Sequence, residues 1–174
     1  MTKSKLYGLA SLPQNDGNWE IKRATIADAD EVLALYNSMI GTPGCTWSEL
    51  YPAMENIEFD LGKDALWVMR DGDVLVGAIS VGNLGDVCQL GWAPQNPAEL
   101  ARIAVAHGYQ GRGLAAALIR HGIETARAAG HDGVVLLVSP DNHAARHLYE
   151  KLGFEPCGEI DGWNHHWLRY QQSF

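Results

Sequence analysis

The sequence predicts a mixed α/β (α+β) fold, an antiparallel start followed by a β-α-β unit, and three observations carry that expectation. The stretch ALWVMRDGDVLVGAISV holds two apolar runs joined through Asp71 and Gly72, the residue types of a tight hairpin turn. The run GVVLLV has five consecutive apolar residues, as a strand covered on both faces requires. Between the strand ELARIAVA and that run lies a helical pattern: Leu114, Ala115, Leu118, Ile119, Ile123 and Ala126 fall on one side, Arg120, Glu124 and Arg127 on the other, and Gly130 closes it. Strand, helix and buried strand in that order make a right-handed crossover between two parallel strands.

The remaining elements follow in chain order. NWEIKRAT alternates apolar and polar residues and reads as a strand. Thr25 is placed to cap a helix whose first turn carries Asp28, Asp30 and Glu31, and whose apolar face is Val32, Leu33, Leu35, Tyr36 and Ile40, with Gly41 ending it. A second helical segment is expected between Trp47 and Leu61. The stretch from Gly82 to Pro97, with three glycines and two prolines, reads as a loop. After GVVLLV come a helix and a final pair of strands around Phe154 and HHWLRYQQ. There is no internal repeat. Residues 1 to 17 read as an N-terminal tail, expected to be mobile, and residues 18 to 174 as a single domain, since 174 residues are too few for two of ordinary size.

Charge and cysteines narrow the function classes. The formal net charge of -8 argues against a nucleic-acid partner, whose affinity rests on neutralised phosphates. The charge is unevenly spread: residues 1 to 100 hold 6 basic and 14 acidic side chains, whereas residues 101 to 151 hold 6 and 4. That one positive segment suits a small anionic ligand. No apolar run reaches the length of a membrane span, and the first residues lack the apolar core of a signal peptide, so no membrane partner and a cytoplasmic location are expected. Cys45, Cys88 and Cys157 are widely spaced and read as reduced, partly buried small apolar residues. His165 and His166 are adjacent, which on a strand points them to opposite faces, so no metal is expected.

The segment YQGRGLAA lies between a strand and a helix. A glycine-rich turn there leaves the first amides of the helix unpaired and aimed at one spot, with the positive end of the helix dipole behind them. The residues at Gly111 and Gly113 let a phosphate reach the backbone. GRGLAA satisfies the G-x-G-x-x-A pattern of dinucleotide-binding turns, but five residues, Ala106 to Gln110, intervene after the strand and the acid expected about 20 residues on is missing. No P-loop motif is present. The plain alternative is a turn that only starts a helix.

ARIAVAHGYQGRGLAAALI resembles motif A of the GNAT superfamily of acyl-CoA-dependent N-acyltransferases, with Gln110-x-x-Gly113-x-Ala115 following Ile103, Ala104 and Val105. SPDNHAARHLYEKLGF resembles the second motif of that family through Asn142, Ala145, Leu148, Tyr149, Gly153 and Phe154. The resemblance extends from Trp19 to the end of the chain. It implies a central, mixed, mostly antiparallel sheet of six to seven strands with a parallel, splayed central pair, flanked by about four helices.

The resemblance also implies an activity and its residues. Acetyl-CoA would be the co-substrate, and a primary amine of a small molecule or a peptide the acceptor; a non-catalytic acyl-CoA sensor is the alternative, and a homodimer is open. The amides of Gly111, Arg112, Gly113, Leu114 and Ala115 would hold the pyrophosphate, beside Gln110, and the strand at Ile103, Ala104 and Val105 would pair with the pantetheine arm. Tyr149 stands at the family's general-acid position, although Ala145, Leu148 and Leu152 also mark it as a neighbour of the core. Glu99 stands where some members carry a carboxylate base; in a regular strand it shares a face with Ala101 and Ile103, and a water chain or a solvated strand start is the other reading. Asn142 is either a contact to the coenzyme arm or part of a helix N-terminus. Arg112 either leans toward a phosphate or faces solvent. His107 replaces a proline frequent in the family, which would loosen the turn slightly. Trp47, Tyr51 and Trp92, with Glu49 and Glu55 nearby, lie in segments that wall the acceptor side in the family, and Trp163 and Trp167 flank the last strands; each aromatic could equally be core. An acidic, aromatic pocket would suit a small cationic amine.

Overall fold

The computed structural model describes residues 19–174; the tail read over residues 1 to 17 lies outside them. In chain order the elements are β1 (Trp19–Arg23), α1 (Ala29–Met39), α2 (Met54–Gly62), β2 (Leu66–Asp71), β3 (Val74–Gly82), β4 (Pro97–Val105), α3 (Leu114–Ala128), β5 (Gly133–Val138), α4 (His143–Lys151), β6 (Glu155–Gly162) and β7 (His165–Ser173). The seven strands form one sheet in the order β1-β2-β3-β4-β5-β7-β6. Every neighbouring pair is antiparallel except β4 and β5, the two ends of the expected crossover.

Local chemistry sets the boundaries. Thr25 opens a short 3-10 turn, Ile26–Asp28, that runs into α1: its amide donates to the Asp28 carboxylate at 2.8 Å while the Asp28 amide donates to the Thr25 carbonyl at 2.9 Å. The second helix is shorter than the sequence led us to expect. Residues 48 to 51 close a turn, and Tyr51 precedes Pro52, which disfavours helical backbone at Tyr51. The helix therefore starts at Met54, where the Asn56 side chain accepts from the Ala53 amide at 2.8 Å. On α1 the buried face is Ala29, Val32, Leu35, Tyr36 and Met39; Leu33 and Ile40, expected on it, are half-buried and line a groove of about 510 Å³ with Asn37, Glu49, Ala53 and Met54.

Two apolar layers flank the sheet. On one side α3 and α4 bury Leu114, Leu118, Ile119, Ile123 and Tyr149 against Ile79, Ala98, Leu100, Val105, Val134 and Leu136. On the other, α1 and α2 bury Val32, Leu35, Tyr36 and Ile57 against Leu66, Val68, Ala78 and Ala104. The three cysteines are free and half-buried. Among the described residues no helix is long and apolar enough to cross a membrane.

Two irregularities in β4 shape the centre of the molecule. Its pairing with β5 covers only Pro97, Ala98 and Glu99, opposite Gly133, Val134 and Val135, after which the two strands diverge. Against β3 the register jumps from Ala101↔Ser80 to Ala104↔Ala78, so Arg102 and Ile103 together face the single residue Ile79. This is a β-bulge, with Arg102 in the left-handed region at φ 50°. The bulge corrects the expected parity: Ala98 and Leu100, then Ile103 and Val105, pack on the α3 side, and Ala104 packs on the α1 side. Glu99 keeps the parity of Ala101 and is opposite in face to Ile103.

Candidate active site

The divergence of β4 and β5 opens a cleft, and the candidate residues can be placed around it. At one end, the Ala106 amide donates to the Val76 carbonyl at 2.8 Å, a 3-10 turn covers His107–Tyr109, and the Gln110 side chain folds back to donate to the Val105 carbonyl at 3.1 Å. Gln110 thus closes the turn. Gly111 and Gly113 both have left-handed backbone, φ 77° and 78°, a conformation that strains any residue with a Cβ. Conformation selects the glycine at 111, for a Cβ there would meet nothing within 4 Å.

Among the described residues, none of the amides from Gly111 to Ala116 has a hydrogen-bond partner; the first amide of this segment to find one is Ala117, bonded to the Gly113 carbonyl at 3.1 Å. These donors converge at the start of a helix of 15 residues, with the dipole adding positive potential. Arg112 lies with its guanidinium carbon over the Tyr109 ring, 5.1 Å from the ring centre, so its side chain is engaged by a local cation-π contact. His107 does more than leave a proline out. Its Nε2 sits 2.8 Å from the Ser38 carbonyl, which requires the proton on Nε2 and ties the turn to α1.

Along the cleft, Ala104 and Val105 pair with Ala78 and Gly77 of β3, while from Leu100 to Val105 the opposite edge of β4 has no partner in β5. Glu99 is the last residue of the paired segment. Burial pushes its carboxyl up to about 7, with Arg102 pulling it down and Asp60 pushing it up.

Beside it lies a polar cluster that sequence reading missed. Arg102 donates through Nε to Asp60 Oδ2 at 2.7 Å and through Nη2 to Asp60 Oδ1 at 2.6 Å. Ser80 Oγ donates to Asp60 Oδ2 at 2.6 Å, and Arg102 Nη1 donates to the Tyr51 hydroxyl at 2.9 Å. The Asp60 side chain is fully buried and that of Arg102 is 9% exposed. One signal was available: Asp60 follows Ile57 by three residues, which puts an acid on the buried face of α2.

On α4, Tyr149 is buried in the core beside β5 and β7, with its ring centre 5.7 Å from Phe154 and 6.2 Å from Tyr170. Burial pushes its phenol up to about 12, so it holds its proton throughout the neutral range. Asn142 is the N-cap of α4, its Oδ1 accepting from the Ala145 amide at 3.2 Å. The connection between α1 and α2 reaches this point, for a Cβ on Gly44 would stand 2.7 Å from the Asn142 Cα.

The aromatic residues divide. Tyr51 joins the polar cluster. Trp47 packs edge-on against Tyr36 with ring centres 5.2 Å apart. Trp92 is buried, donates to the Val87 carbonyl at 2.7 Å and has the Arg169 guanidinium 4.3 Å above its ring, which makes it a support of the sheet. Trp167 donates to the Gly162 carbonyl at 3.0 Å, and Trp163 stands half-exposed at the β6–β7 turn.

Residues 32–154 match the acetyltransferase (GNAT) family. The L-methionine sulfoximine/L-methionine sulfone acetyltransferase of Pseudomonas aeruginosa is 30% identical over 153 residues, 80% of this chain and 82% of that protein. The mycothiol acetyltransferase of Corynebacterium glutamicum is 44% identical over 66 residues, 36% of this chain and 23% of that protein. Among solved structures, a GNAT-family acetyltransferase from Streptococcus agalactiae superposes with a TM-score of 0.73 at 20% identity, covering 90% of this chain and 95% of that one. The yncA protein of Salmonella typhimurium, solved with its cofactor acetyl-CoA, gives 0.71 at 20% identity, covering 90% and 94%.

Proposed function

The chain belongs to the GNAT acetyltransferase family, and from that premise we propose that it moves an acetyl group from acetyl-CoA directly to a primary amine of a small molecule. The observation that carries this reading is the end of β4–β5 pairing at Glu99, which leaves a bare strand edge with a carboxyl of raised proton affinity at its apex. The free amides from Gly111 to Ala115 fit a pyrophosphate, needing no rearrangement to donate. Ile103, Ala104 and Val105 present main-chain donors and acceptors to an extended pantetheine arm, and a donor there polarises the thioester carbonyl.

Two proton movements complete the chemistry. Glu99, half ionised near pH 7 and ionised above it, takes a proton from the incoming ammonium, directly or through water. The amine nitrogen then bonds to the acetyl carbon and the carbon-sulfur bond breaks; Tyr149 gives its proton to the departing thiolate, and the proton that the nitrogen sheds as the amide forms restores the phenol, directly or through water. Small acceptors are supported by the relative that acts on L-methionine sulfoximine and by the net charge of -8, which favours cationic amines.

Thiol release from acetyl-CoA across a panel of amines, amino-acid analogues and peptides tests the proposal. Saturable turnover with at least one small amine is expected. Turnover confined to peptide amines would overturn the acceptor class, and tight acetyl-CoA binding without turnover of any amine would favour the sensor alternative.

A further inference from the structure

The Asp60–Arg102 pair is costly to build. Taking both charges out of water is only partly repaid by their attraction, and the arginine sits in a left-handed backbone conformation that a β-branched or long side chain seldom adopts. The pair is nonetheless fully bonded: Asp60 accepts from Arg102 Nε, Arg102 Nη2 and Ser80 Oγ, and the remaining guanidinium nitrogen is held by Tyr51. The bulge is what makes this contact. It rotates Arg102 onto the α2 side of the sheet, the side of Glu99 three residues before it.

We propose that the buried Asp60–Arg102 pair is a positioning pair for Glu99, fixing how much of the arginine's charge the base experiences and hence the pH at which it becomes competent. The inference rests on the reading of Glu99 as the base. Two opposite charges act on Glu99, Arg102 attracting its ionised form and Asp60 repelling it, and bonding the two to each other sets each against the other. Of the other titratable groups facing this cluster, the Tyr36 phenol of α1 is pushed above its usual range by burial, and the Cys88 thiol before β4 is pushed up by burial and by Glu99 itself, so both are neutral near pH 7; Tyr51 enters the cluster as the hydroxyl that accepts from Arg102. Val135, across the strand pair, is apolar. With the two charges opposing each other, burial is the largest influence on Glu99. Removing either end of the pair unmasks the other.

The two single variants therefore make opposite forecasts. Asp60→Asn leaves Arg102 uncompensated and moves the ascending limb of the pH–kcat/KM profile down by about one pH unit; Arg102→Gln leaves Asp60 uncompensated and moves it up by a similar amount. Arg102→Lys keeps the charge and returns the limb toward that of the wild type. The titration of Glu99 in the full chain, followed by carbon-13 NMR of labelled glutamate carboxyls and assigned with Glu99→Gln, reads the same shifts without turnover. Shifts of the same sign, or no shift in variants whose thermal transitions remain cooperative, would overturn the proposal. If Asp60→Asn does not fold, the contrast of Arg102→Gln with Arg102→Lys decides it. A limb that survives in Glu99→Gln would instead remove Glu99 as the base, and the NMR titration would still decide whether the pair governs its proton.

Discussion

At the residue scale, the proposed division of acid-base work between Glu99 and Tyr149 rests on burial that favours the protonated form of each from a different starting point. Burial holds a proton on each, but Glu99 releases it near pH 7 and Tyr149 only near 12. A base must be ionised, so the rate is expected to rise through about pH 7, and no falling limb from Tyr149 is expected below about pH 10. Glu99→Gln should abolish the limb and lower kcat/KM by roughly 10²–10⁴-fold, measured by thiol release. Tyr149→Phe should keep the ring against Phe154 and Tyr170, and thus the melting temperature, while kcat falls about 10²-fold. Both residues were legible in the sequence through their motifs and positions. The direction of Glu99 was not, because regular strand alternation places it with Ile103 and nothing in the residue type of Arg102 announces left-handed backbone. Asp60 and Arg102 are 42 positions apart, a pairing that only the tertiary fold makes.

At the element scale, the turn before α3 works through backbone, and its substitutions should be felt by the coenzyme before the fold. Gly113→Val forces a β-branched residue into φ 78° beside the free amides and should raise KM for acetyl-CoA tenfold or more, about 1.4 kcal/mol in binding. An unchanged KM would remove the phosphate role. Asn142 offers a cleaner separation. As the cap of α4, its replacement by alanine should cost about 1 kcal/mol of stability, seen as a lower melting temperature, with KM for acetyl-CoA unchanged; a raised KM would assign it to the coenzyme arm instead. The turn and both β-α steps were readable because glycines, caps and apolar periodicity are local signals. The late start of α2 also has a local cause, the Tyr51-Pro52 step, which weighs more than the helical pattern running through it.

At the scale of the whole molecule, the site draws on the free energy of folding. The folded pKa of Glu99, about 7, stands above its usual 4.5, so the native state holds this proton more tightly than the unfolded chain. The resulting stabilisation is fully present below about pH 4.5 and is lost as pH rises to about 7. Glu99→Gln should accordingly match the wild type in stability at low pH and exceed it at pH 8 by on the order of 2 kcal/mol, measured by denaturant unfolding at the two pH values. The parallel crossover was legible from strand, helix and buried strand, whereas the insertion of β7 between β5 and β6 was not, since it depends on which distant strand wins the edge of β5.

The place where β4 and β5 separate has one more consequence. Most sheets keep their bare hydrogen-bonding rims at the border, where a stranger's sheet can dock and seed fibres. Here a rim opens in the middle, laced shut at one end and bounded by four strands on one side and three on the other, so that its shape suits a lone threadlike molecule and not another pleated layer.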